Sequence, residues 1–142
     1  MNNITLTIVE NDKLIANLLR DFLDEVPNFE VVKLFYDGTS FLENLDASNL
    51  TDILLIDLKM GEVSGVDVIE ELKKREIETK IIVLSSYYDP NYLGFVFKLG
   101  VNAFLPKEID KDELIRIIQT VYEEGYYFDQ NQMKVLQEQM RS

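Results

Sequence analysis

Five apolar runs organise this chain, each followed by a stretch with apolar residues at helical spacing. Ile4 to Val9 reads as a strand, and Leu14, Ile15, Leu18, Leu19, Phe22 and Leu23 then recur three and four residues apart. Pro27-Asn28 breaks that helix. Val31 to Phe35 is a second strand, and Asp37-Gly38 turns the chain into a short helix carrying Phe41, Leu42 and Leu45. Asp52 to Ile56 is a third strand. The helix after it carries Val66, Ile69 and Leu72 and closes on Lys73-Lys74-Arg75, cations at the negative end of the helix dipole. Ile81 to Leu84 is a fourth strand, followed by a helix that Asp89-Pro90 opens and Gly100 ends. Val101 to Leu105 holds the fifth strand. Asp110 caps a last helix that turns Leu114, Ile115, Ile117, Ile118 and Val121 inward.

Strands that are apolar without interruption belong to a parallel sheet covered on both faces. Right-handed crossovers make that a doubly wound α/β domain of three layers. The fold class expected is a flavodoxin-like (βα)5 domain with strand order 2-1-3-4-5, filling residues 1–124. Residues 125–142 form a tail in which Asp129 can cap a helix bearing Met133, Leu136 and Met140 on one narrow side. Two readings of it stand: a terminal helix packed lightly on the domain, or a linker helix leading to another domain.

Composition narrows the chemistry. The 142 residues include no cysteine and no histidine. Disulfides, thiolate or imidazole metal sites and Ser-His-Asp triads are therefore excluded. Carboxylates, hydroxyls, amides, lysines and a hard cation held by oxygen remain. The formal net charge of −12 makes the chain itself a poor binder of nucleic acid. Ordinary solubility accounts for such a charge, and a cation site lined by some of the acids is the sharper reading. No apolar stretch approaches the roughly 20 residues of a membrane span. No basic segment followed by an apolar one opens the chain, so neither membrane nor secretion is indicated and a cytoplasmic location is expected.

The residues just past the strands carry the candidate chemistry. They are Glu10, Asn11 and Asp12 after the first, Asp57 after the third, Ser85 and Ser86 after the fourth, and Pro106 and Lys107 after the fifth. In a 2-1-3-4-5 sheet, strands 1 and 3 lie side by side at the switch point, so Glu10, Asn11 and Asp57 converge, with Ser85 and Lys107 approaching from neighbouring strands. Two carboxylates and an amide oxygen can hold Mg²⁺ with waters completing its shell. A lysine and a hydroxyl opposite can meet phosphoryl oxygens, and a carboxylate can itself accept the phosphoryl group. Taken singly, each residue has a plainer role: a turn or cap for Asp, a solvated Lys, a local backbone partner for Ser.

Taken together, the segments Ile8-Val9-Glu10-Asn11-Asp12, Asp52 to Gly65, Ile82 to Ser86 and Gly100 to Lys107 resemble the receiver domain of bacterial two-component response regulators, over about residues 4–122. The resemblance implies Asp57 as phosphoacceptor, with Lys107 beside it in the catalytic pair. It implies Mg²⁺ held by Glu10, Asn11, Asp57 and the backbone carbonyl of Lys59. It implies Ser85 and Lys107 as contacts of the phosphoryl group and Phe104 as an aromatic that moves inward when Ser85 shifts. It also implies a sensor histidine kinase or phosphotransfer protein as partner, a possible homodimer, and a signalling domain that is not an enzyme beyond its own phosphorylation and dephosphorylation. The surface around the fourth helix and fifth strand, with Tyr87, Tyr88 and Tyr92, is the expected readout.

Three positions depart from the family pattern. Asn11 stands where a second acid is usual, which lowers the expected metal affinity. Gly61 replaces a frequent proline and should loosen the loop after Asp57. Glu108 also replaces a frequent proline, and with the tail it resembles the LuxR-type transcriptional regulators, whose helix-turn-helix domain is not among these residues. Two other readings stay open. One is a degenerate receiver that binds proteins without phosphorylation. The other is a small Mg²⁺-dependent phosphatase with an aspartyl intermediate, although Lys59 occupies the place where such enzymes carry a second carboxylate.

Overall fold

The structure is a computed structural model that describes residues 3–141. Its strands are β1 (Ile4–Val9), β2 (Phe29–Phe35), β3 (Ile53–Ile56), β4 (Lys80–Ser85) and β5 (Ala103–Pro106). They form one parallel sheet in the order β2-β1-β3-β4-β5. The helices are α1 (Lys13–Asp24), α2 (Gly38–Glu43), α3 (Gly65–Lys74), α4 (Leu93–Lys98), α5 (Lys111–Glu124) and α6 (Gln130–Met140).

Strand alternation divides each apolar run between the two faces of the sheet. Leu6, Ile8, Ile53, Leu55, Ile82, Leu84, Ala103 and Leu105 pack with Leu23 of α1 and Leu114, Ile117, Ile118 and Val121 of α5. Val9, Leu54, Ile56, Ile81, Val83 and Phe104 pack with Phe41 of α2, the Val68-Ile69-Leu72 stripe of α3, Val96 of α4 and Leu136 of α6. Each of the larger side chains among these, fully buried, contributes about 1.5–3 kcal/mol relative to exposure, which ties β1, β3, β4 and β5 to both layers.

Element ends differ from the sequence reading by a residue or two. β2 starts at Phe29 rather than Val31, and β5 runs Ala103–Pro106 rather than starting at Val101. Asp52 precedes β3, because its carboxylate is held by the N–H and hydroxyl of Thr5. The helix expected from Asp89-Pro90 begins as a 3-10 turn, Pro90–Tyr92, before α4 proper. In α1, Leu14 and Leu18 stay on the outer surface, and Ile115 of α5 is half-buried rather than inward. The largest difference is the tail. α6 is capped by Asp129 as the sequence implies, but it is anchored rather than lightly packed, with Gln132 and Leu136 both buried.

Candidate functional site

Glu10 and Asp57 are the first residues past β1 and β3, whose register pairs Val9 with Ile56. The Asp57 N–H reaches the Val9 carbonyl at 3.4 Å, so the ladder delivers both carboxylates to one point of the sheet edge. Both are buried, at 3% and 4% exposure. Lys107 leaves the end of β5, which the bond from its N–H to the Ser85 carbonyl (2.9 Å) ties to β4. Its side chain crosses β4 and puts Nζ 2.5 Å from Glu10 Oε1 and 2.7 Å from Asp57 Oδ2. The other carboxylate oxygens meet backbone donors. Glu10 Oε2 accepts from Asp12 N–H at 2.9 Å, and Asp57 Oδ1 accepts from Lys59 N–H at 3.2 Å.

Burial alone opposes the charge on Lys107, but Asp57 and Glu10 outweigh it and hold its pKa above the ordinary lysine value. Two carboxylates share this one ammonium, so the charged forms leave the cluster at −1. Its oxygens are hard donors, and each has one polar partner and room for a second. The donor set therefore fits a hard divalent cation held by few protein ligands. Among the described residues, no three His, Cys, Asp or Glu side chains gather as a metal-binding group.

Asn11 is exposed, in a shallow concavity that Asp37, Gly38, Met60, Gly61 and Glu62 also line. Asp12 turns instead to α1, its Oδ1 accepting from the N–H groups of Leu14 and Ile15 as the helix cap. Ser85 is buried, and its Oγ accepts from Tyr87 N–H at 3.1 Å rather than contacting Asp57. Lys59 Nζ lies 4.2 Å from the Tyr87 ring centroid, so this side chain offers no acid or base to Asp57. Phe104 is already wholly inside, its ring 4.8 Å from that of Tyr88. Tyr87 and Tyr92 are exposed as expected, whereas Tyr88 is half-buried.

Two glycines shape the loop after Asp57. Gly61 has φ +42°, a conformation proline cannot adopt, so this loop geometry excludes proline at that position. A Cβ on Gly65 would collide with the Asp57 carbonyl oxygen and Leu58 Cα, so only glycine lets α3 start against the acidic residue's own backbone. Gln132 is not among the residues singled out from the sequence, although the Asp129-x-x-Gln132 spacing of a capping box was there to be read.

A flavodoxin-like sheet with an acidic pair and a lysine at its switch point is the class that fold and site define. Residues 6–119 match the family model for the response regulator receiver domain, and the chain belongs to that family of two-component signalling modules. It is 33% identical over 126 residues to the transcriptional regulatory protein DegU of Brevibacillus brevis, covering 89% of this chain and 53% of that protein. The chain thus spans about half the length of such relatives. The isolated receiver domain of RcsB from Salmonella enterica serovar Typhimurium, solved with the phosphomimetic BeF3⁻, superposes with a TM-score of 0.79 at 23% identity, over 95% of this chain and 99% of that one. A LuxR-family response regulator from Aurantimonas gives a TM-score of 0.84 at 15% identity, over 99% and 100% of the two chains. These likenesses show the fold. No helix among the described residues is long and apolar enough to cross a membrane.

Proposed function

We propose that Asp57 accepts a phosphoryl group from a phosphohistidine of a partner kinase or phosphotransfer protein. The observation that carries this is the bridge from Lys107 to both Asp57 and Glu10 at the switch point. An Asp57 oxygen attacks phosphorus, a P–O bond forms, the P–N bond breaks, and its electron pair stays on the imidazole nitrogen. Lys107 neutralises charge on the phosphoryl oxygens, and the Lys59 N–H keeps the carboxylate oriented. Ser85 Oγ turns from Tyr87 N–H toward the new group. Glu10, Asn11, Asp57 and the Lys59 carbonyl would hold Mg²⁺, which supplies charge neutralisation at the transferring group. With an amide at Asn11 in place of an acid, that ion binds more weakly than in a three-acid site.

The phosphorylated side chain carries about −1.5 to −2, by analogy with other phosphorylated side chains, in place of the single charge of the Asp57 carboxylate, so the buried cluster moves from −1 to about −1.5 to −2. Lys107 and Ser85 respond to it, and a pre-existing equilibrium of the β4–α4 surface shifts. Residues 1–124 act as the receiver and residues 125–142 as the segment that relays its state. By likeness to DegU, the output is transcriptional, through a DNA-binding domain outside this chain. The chemistry is confined to its own phosphorylation and dephosphorylation in the cytoplasm. Pairing of two receivers accompanies the switch.

Intact-mass spectrometry after incubation with a small phosphodonor and Mg²⁺ tests the assignment. One adduct is expected on the wild type and none on Asp57→Asn; an adduct of equal yield on the variant would remove Asp57 from the role. A second reading, a module that binds partners without phosphorylation, is favoured by the exposure of Asn11 outside the acidic pair. Titration with Mg²⁺ and beryllofluoride separates the two. Amide shifts centred on Asp57, Ser85 and Lys107 support the acceptor, and their absence supports the module.

A further inference from the structure

The tail helix is fastened to the domain at one buried amide. Gln132 is 4% exposed; its Nε2 donates to the Tyr88 hydroxyl oxygen at 2.8 Å and to the Phe104 carbonyl at 2.9 Å. Its Oε1 accepts from Asp129 N–H at 3.1 Å, so every polar atom of the side chain is engaged. Around that amide, Leu136 joins the apolar cluster that contains Phe104, and Phe128 meets Phe97 of α4 edge-on at 5.7 Å. Gly94 of α4 has no side chain where the Gln139 side chain lies. Burial, reinforced by Asp129 and opposed by the Gln132 bond, keeps the Tyr88 phenol above its ordinary pKa, so it accepts as a neutral hydroxyl.

The segment Ser85-Ser86-Tyr87-Tyr88 connects this fastening to the phosphoacceptor. At one end Ser85 Oγ accepts from Tyr87 N–H; at the other Tyr88 accepts from Gln132. Ser85 is not bonded to Asp57, so turning its Oγ to a phosphoryl group there gives up the Tyr87 N–H and frees the Ser85–Tyr88 segment to shift. Phe104 is already interior, which leaves no inward swing of that ring to absorb the movement. The displacement passes instead to Tyr88, whose hydroxyl is tied to α6. We propose that α6 is a latch on the α4–β5 face, closed by Gln132 while Asp57 is free and released when Asp57 carries a phosphoryl group. The proposal rests on the phosphoacceptor reading of Asp57 and adds to it the element that is moved. Because coupling is reciprocal, opening the latch by mutation favours the Asp57 pocket's bound state.

The absence of cysteine allows spin labels to be placed at will. Labels at Glu138→Cys on α6 and Glu70→Cys on α3, both exposed positions, report docking by pulsed dipolar distances. The expected result is a narrow distribution for the free protein that broadens to longer distances with beryllofluoride and Mg²⁺. Gln132→Leu should broaden it without fluoride and tighten beryllofluoride binding by about fivefold or more. Leu136→Lys should act in the same sense through a different contact, and carries the comparison if Gln132→Leu does not fold by circular dichroism. Beryllofluoride that shifts the amides at Asp57 but leaves α6 docked overturns the latch alone. So does unchanged or weaker fluoride binding in a folded variant. Failure of the wild type to bind beryllofluoride overturns the phosphoacceptor reading, and the latch with it.

Discussion

β3 carries an aspartate at each end, and the two live in different chemistries. Asp52, at the amino end, is met through one carboxylate oxygen by neutral backbone and hydroxyl groups. Its Oδ2 accepts from Thr5 N–H at 2.9 Å and Thr5 Oγ1 at 3.1 Å, and its own N–H returns a bond to Thr5 Oγ1 at 2.9 Å. Around it, Thr7 pairs with Thr51 at 2.8 Å and Thr79 donates to the Thr51 carbonyl at 2.9 Å. Asp57, one residue past the carboxyl end, meets another carboxylate and one ammonium. The amino edge closes its polar groups on one another as a lock between strands. The carboxyl edge leaves a charge imbalance that a cation or a phosphoryl group can change. The two acids share a strand but not a kind of partner: Asp52 is met by neutral donors, Asp57 by an ammonium it shares with Glu10.

The largest difference between the two concerns the adduct itself. Asp57→Asn should abolish phosphoryl incorporation from a small phosphodonor, while Asp52→Asn, which keeps an acceptor oxygen for Thr5, should retain wild-type yield by intact mass. Equal loss in both variants would dissolve the contrast.

Next in size is the stability held by the lone cation. Lys107→Met leaves Glu10 and Asp57 buried and facing each other, at a cost on the order of 3 kcal/mol in urea unfolding. The side chain keeps 14% exposure, which places the expectation at the lower end for a broken buried pair. A variant as stable as the wild type would mean that the carboxylates are relieved by some other group. At the amino edge the corresponding test is milder. Asp52→Ala strips two donors of Thr5 of their acceptor, for about 1–3 kcal/mol, and partial exposure moves it toward the smaller figure. The same urea midpoints decide it, and a loss exceeding that of Lys107→Met would reverse the ranking.

The contrast also explains what could be read from the chain beforehand. The sheet order and the convergence of Glu10, Asp57 and Lys107 follow from unbroken apolar runs with polar residues placed just past them, a pattern set by local alternation. Asp52 was readable only as the start of a strand, because its bond to Thr5 joins residues far apart in sequence. Ser85 is assigned by resemblance to the phosphoryl oxygen; without that group its Oγ accepts from the nearby Tyr87 N–H, a bond that no sequence pattern announces. Gln132 was hidden for a related reason. A glutamine in a polar stretch carries no sign of burial; its bond from Asp129 N–H is local, but the two acceptors of its amide N–H groups lie in β5 and the β4–α4 segment, far back in the chain.

The smallest expected effect lies at alkaline pH, and only the carboxyl edge should show it. The folded pKa of Lys107 is raised, so the folded state holds this proton more tightly than the unfolded chain. Its stabilising contribution is therefore complete below the unfolded lysine value of about 10.4 and is lost as pH rises through the folded one. Across that window the slope of unfolding free energy reaches at most about 1.4 kcal/mol per pH unit for this one proton. Tyr88, whose pKa is also raised, adds a slope of the same sign from its own region. Urea unfolding of wild type, Lys107→Met and Asp52→Ala at steps from neutral to alkaline pH separates these sources. Lys107→Met should lose part of the alkaline slope despite its lower stability, and Asp52→Ala should keep all of it. Parallel curves for wild type and Lys107→Met would mean that the ammonium draws no net stabilisation from Asp57 and Glu10, and the two ends of β3 would then differ in geometry but not in electrostatics.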